Sequence, residues 1–146
     1  MNLKQRIEQD MRLAQKSGDK LRLSLTRLLK SDIRYNEIEK GKELSDEEVL
    51  FSSAKKHRDS IEQFREGGRE DLAKQEEEEL NLILEYMPEQ FSSEEVERLV
   101  EESIAEVGAE GEKDIGKVMK ALMPKVKGRA DGKTVNLLVS SKLKAG

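Results

Sequence analysis

Apolar residues recur at three- and four-residue intervals along almost the whole chain, the spacing that gives an α-helix one buried face. Leu3, Ile7, Met11 and Ala14 predict a helix over 3–17, stopped by Gly18. Asp19 is placed to cap a second helix to about residue 39, with Leu21, Leu25, Leu28, Leu29 and Ile33 inside. Ser45-Asp46-Glu47-Glu48 has the pattern of a capping box and opens a third helix. That helix carries Val49, Ala54, Ile61 and Phe64 and ends at Gly67-Gly68. A fourth, over about 69–87, buries Leu80, Ile83, Leu84 and Met87.

The pattern breaks at Pro88 and restarts after Phe91. Ser92-Ser93-Glu94-Glu95 is a second capping-box pattern, followed by Val96, Leu99, Val100, Ile104 and Val107 and closed by Gly108. A short helix over 114–123 follows, with Ile115, Val118, Met119 and Leu122 inside and Pro124 as its stop. Residues 125–130 then read as a basic loop, and Asp131 caps a last helix to about residue 143. No stretch alternates with period two, so the expected fold is all-α. The break divides it into an N-terminal helical part of about four helices, 1–90, and a small three-helix C-terminal domain, 91–146.

Charged residues are 40% of the chain and aromatics only 3%, a mix that raises the question of disorder. The small net charge of −4 and the sustained helical period argue against it. With no cysteine, the chain has no disulfide framework, thiolate zinc site or cysteine nucleophile. Residues 1–10 are charged and lack the apolar core of a secretory leader. No apolar run approaches the ~20 residues of a membrane span. A cytoplasmic protein with no membrane association is the expectation.

The charge is unevenly distributed. Residues 113–133 hold seven basic side chains against Asp114 and Asp131, a local balance of +5. The seven are Lys113, Lys117, Lys120, Lys125, Lys127, Arg129 and Lys133. A positive island on an acidic chain suits a polyanion or an acidic partner, so these seven are the candidate RNA-binding residues. Arg129 offers a planar fork that matches phosphate, and Gly128 frees the backbone for close approach. Gly116 reads as a close-packing position. A solvated helix face beside a polar turn is the plain alternative.

Catalytic chemistry is not legible. His57 is the one histidine, set among Lys55, Lys56 and Arg58 with no carboxylate orienter in the adjacent sequence. The serines lack a nucleophile elbow, and neither a phosphate-binding loop nor a dinucleotide fingerprint occurs. The four glutamates at 76–79 read as a solvated face, since successive helix positions diverge by about 100°. The chain is therefore expected to have no catalytic residues, no cofactor and no metal.

Lys-Asp-Ile-Gly-Lys-Val-Met-Lys at 113–120, then Pro-Lys-Val-Lys-Gly-Arg-Ala-Asp-Gly-Lys at 124–133, resembles the GatB/YqeY family, in particular its stand-alone YqeY-like members. Arg58-Asp59-Ser60-Ile61-Glu62, Gly68-Arg69-Glu70-Asp71-Leu72-Ala73 and Glu85-Tyr86-Met87-Pro88-Glu89-Gln90 extend the resemblance over nearly the whole chain. Val118-Met119-Lys120 and Lys127-Gly128-Arg129-Ala130 match pieces of the tail of GatB, the tRNA-binding component of a glutamine-dependent tRNA amidotransferase. The resemblance implies an all-helical accessory protein, with tRNA as the expected ligand and a protein partner as the alternative. It also implies a family label of carbon–nitrogen ligase with glutamine as amido donor, an activity that belongs with larger subunits.

Overall fold

The computed structural model describes residues 1–145. Among the described residues there are seven α-helices and no strand. The chain divides into two compact units, Met1–Met87 and Pro88–Gly146.

In the first unit α1 spans Leu3–Ser17, α2 Lys20–Ile38, α3 Asp46–Glu66 and α4 Glu70–Leu84. Local chemistry sets these ends. Asn2 and Gln5 form a reciprocal capping box on α1, and Gly18 closes it at φ 77°, a left-handed conformation that favours glycine. The Asp19 carboxylate accepts the Arg22 N–H at 3.1 Å to open α2. Ser45 Oγ accepts the Glu48 N–H at 3.1 Å and donates to the Glu48 carboxylate at 3.3 Å, opening α3.

The helices pair as two antiparallel hairpins, α1 with α2 and α3 with α4. The ion pairs Lys4–Glu37 at 3.2 Å and Lys30–Glu8 at 3.8 Å fix the opposed directions of the first pair. Ile7, Leu25, Leu29, Ile33, Leu50, Ala54 and Ile83 form the core. Leu28, expected inside, is 43% exposed, while Thr26 is fully buried with its hydroxyl donating to the Arg22 carbonyl at 2.7 Å. The buried arc of α2 is rotated from the all-leucine stripe, because a satisfied threonine hydroxyl can enter a core. The fourth helix ends at Leu84, short of the expected 87. Tyr86 lies in the following turn, buried, with its hydroxyl donating to Asp10 and Arg6 stacked over its ring at 4.7 Å.

In the second unit α5 spans Ser93–Val107, α6 Ile115–Val126 and α7 Gly132–Ala145, with a 3₁₀ turn at Glu112–Asp114 leading into α6. Ser92 and Glu95 complete a capping box on α5, and Gly108 ends it at φ 65°. The three helices pack on each other through Val96, Val100, Val118, Leu122, Val126, Val135 and Val139.

Pro124 does not stop α6; it lies inside the last turn. A proline removes one hydrogen bond, here the one that would reach the Lys120 carbonyl. Val126, fully buried, continues the stripe of Val118 and Leu122 and holds the turn helical. The expected basic loop is correspondingly shorter, since Lys125 and Val126 are helical.

Candidate nucleic-acid interface

The candidate cations fall on three elements of the second unit. Lys113 is exposed in the 3₁₀ turn. Lys117 and Lys120 are exposed on α6, three residues apart and therefore on one side of the helix. Lys125 lies in the last turn of α6, Lys127 is its C-terminal cap, Arg129 is in the turn that follows, and Lys133 is in the first turn of α7.

Lys117 and Lys125 face carboxylates. Lys117 Nζ lies 3.8 Å from Asp114 Oδ1. Lys125 Nζ lies 2.7 Å from Glu106 Oε2, which ties α6 to α5. Asp114 accepts the Glu110 N–H at 2.9 Å; that bond holds its carboxyl below the ordinary range, with Lys117 and Lys113 adding to the effect.

The turn is held by the segment before α5. The Phe91 N–H donates to the Arg129 carbonyl at 2.8 Å, and Gln90 Nε2 to the Gly128 carbonyl at 2.8 Å. Arg129 Nε donates to the Glu89 carbonyl at 2.8 Å, and its guanidinium sits 3.8 Å from the Phe91 ring centroid. Gly128 bends the chain back at φ 77°. The Asp131 carboxylate accepts the Lys133 N–H at 3.3 Å and the Thr134 hydroxyl at 2.9 Å, occupying the start of α7. Phosphate contacts at this turn would therefore come from side chains rather than from free helix N–H groups. A cavity of ≈ 380 Å³ adjoins the clasp, lined by Phe91, Val96, Arg129, Thr134 and Leu138 among others.

Gly116 is not a close-packing position. Nothing lies within 4 Å of where a Cβ would stand, so the helix tolerates a side chain there.

His57 is the residue whose surroundings the sequence did not reveal. It is buried, and its Nε2 faces Glu79 Oε2 at 3.1 Å and Glu76 Oε2 at 3.6 Å. The carboxylates that face its ring come from α4 rather than from its own helix. Spacing of Glu76 and Glu79 by three on one helix was the available signal; their facing histidine was not.

A family described as Yqey-like protein matches residues 4–143. The chain belongs to the YqeY-like family. It is 30% identical over 131 residues to "Altered inheritance of mitochondria protein 41, mitochondrial" of Pyrenophora tritici-repentis, covering 86% of this chain and 71% of that protein. It is 45% identical over 58 residues to a glutamyl-tRNA(Gln) amidotransferase component of Aeropyrum pernix, covering 37% of this chain and 9% of that protein. No helix is long and apolar enough to cross a membrane, among the described residues.

Proposed function

We propose that this YqeY-like chain is a tRNA-associated accessory module without an active site of its own, binding through cations of 113–133. The observation that carries this reading is the likeness to an amidotransferase component named for glutamyl-tRNA(Gln), joined to the local +5 balance. In this reading the four N-terminal helices form one functional part, and the three C-terminal helices form the tail-like part that meets the ligand. Lys113, Lys117 and Lys120 approach the phosphates first, and Arg129 shapes the turn beside them. Contacts of this kind orient a duplex without reading its bases, so shape preference with moderate affinity is expected. The protein resides in the cytoplasm; imaging of a tagged chain tests this against the mitochondrial location that one relative's name carries.

The second reading is a component of a glutamine-dependent carbon–nitrogen ligase that works only with other subunits, and the same amidotransferase likeness favours it. Adding the chain to a tRNA amidation assay with its partner subunits separates the two. Titration of tRNA at several salt concentrations tests binding itself. Log affinity falls with log salt by about 0.9 per phosphate contact, taking the duplex-DNA coefficient. Lys117→Glu with Lys120→Glu flattens the slope while helicity is retained. Salt-insensitive binding, or none, removes the RNA reading and leaves a protein partner as the ligand.

A further inference from the structure

We propose that His57, Glu76 and Glu79 form a binding site for one divalent transition-metal ion, zinc(II) being the best match, in the helix hairpin of the N-terminal unit. His57 Nδ1 lies 2.8 Å from the Ser53 carbonyl oxygen. A carbonyl only accepts, so Nδ1 carries the proton and Nε2 is the nitrogen turned to the two carboxylates. In the neutral imidazole Nε2 is then a lone pair with only acceptors in front of it. The side chain is 9% exposed, so water does not freely take the role of donor. A backbone carbonyl holding the far ring nitrogen is also the usual way a metal-binding histidine is oriented.

The distances fit an ion. Zinc bonds to nitrogen and oxygen are about 2.0–2.2 Å, so two ligand atoms of a tetrahedral site stand about 3.3–3.5 Å apart. Nε2 lies 3.1 Å from Glu79 Oε2 and 3.6 Å from Glu76 Oε2, on either side of that value. One ligand atom from each of the three residues falls within 4.8 Å of the others. The residues come from two rigid, antiparallel helices, and Glu76 and Glu79 share a face by their spacing of three. Both carboxylates are largely covered, with side chains 26% and 19% exposed. A bound cation relieves the repulsion of two anions held this close. A nitrogen and two carboxylate ligands suit zinc, iron(II) or manganese(II) rather than calcium, which takes oxygen ligands in larger number. Three protein ligands leave a fourth position for water or for an atom of another molecule.

The test uses the full chain freed of metal with a chelator and then titrated with zinc(II) alone and with cobalt(II) alone. Calorimetry should give one ion per chain, the melting temperature should rise, and cobalt should develop the visible bands of a tetrahedral site. Glu79→Gln preserves size and should weaken binding by about tenfold or more, taking the loss from an outer-shell partner as the floor. His57→Gln should abolish the cobalt bands. Glu78→Gln, on an exposed position of the same helix, should leave binding unchanged. Circular dichroism confirms that each variant is folded; should His57→Gln fail that check, Glu79→Gln decides. Absence of saturable zinc or cobalt uptake by the folded chain overturns the site. So does equal affinity in the wild type and Glu79→Gln, or an imidazolium signal from His57 that metal does not alter.

Discussion

Arg129 stacks its guanidinium 3.8 Å from the centre of the Phe91 ring while its Nε donates to the Glu89 carbonyl at 2.8 Å. The fork best matched to phosphate in this stretch is thus part of the turn's own scaffold. Replacing it with alanine removes a cation–π contact and a hydrogen bond, each about 0.5–1.5 kcal/mol. Arg129→Ala is expected to expose the Phe91 N–H, which bonds the Arg129 carbonyl, to faster hydrogen exchange. Arg129→Lys should recover little, because an ammonium cannot reproduce the planar stack. Unchanged exchange at Phe91 in the alanine variant would refute the clasp.

The cations of the patch should not count equally in tRNA binding. Lys125 is held by Glu106 at 2.7 Å and its side chain is 37% exposed, whereas Lys117, 70% exposed, has its carboxylate at 3.8 Å. A phosphate must displace the Glu106 contact to recruit Lys125. Lys120→Met and Lys117→Met are each expected to lower the salt slope by about 0.9, and Lys125→Met by less. The reverse order, measured by anisotropy titration of tRNA over a salt series, would move the interface to the α5 side of the turn.

Acid should loosen the second unit through two carboxylates that accept backbone N–H groups. The Glu110 N–H holds Asp114 below its ordinary 3.8, and the Ser92 backbone N–H and hydroxyl hold Glu95 below its ordinary 4.5. Both carboxyls are depressed in the folded state, so their contribution is complete above those ordinary values. It is lost as pH falls through the lower folded ones. Urea midpoints taken from about pH 5 down to about pH 2 should decline. Asp114→Asn and Glu95→Gln should each start lower and decline less. A decline as steep in both variants as in the wild type would assign acid sensitivity elsewhere.

A fragment starting at Pro88 is expected to fold alone, and one starting at Ser92 to be less helical. Glu89, Gln90 and Phe91 all bond the 128–129 turn, so removing them opens the clasp and frees one edge of the core that Phe91 covers. Circular dichroism and thermal melts of the two fragments decide. Equal stability would mean that residues 88–91 contribute nothing to the unit.

The sequence by itself determined where most helices start and stop. Asn2 apart, the caps at Asp19, Ser45 and Ser92 and the glycine stops at Gly18 and Gly108 could be read directly, because they act between residues three or four positions apart. The apolar stripes placed most core residues for the same reason. Tertiary packing decided the rest. It carried α6 past Pro124, because burying Val126 outweighs one missing hydrogen bond near a helix end. It turned Leu28 outward and brought Tyr86 inward from a turn. It also set His57 against Glu76 and Glu79, 19 and 22 positions away, through the antiparallel run of α3 and α4. Helical periodicity specifies which residues share a face; only the packing of one helix on another specifies what that face meets.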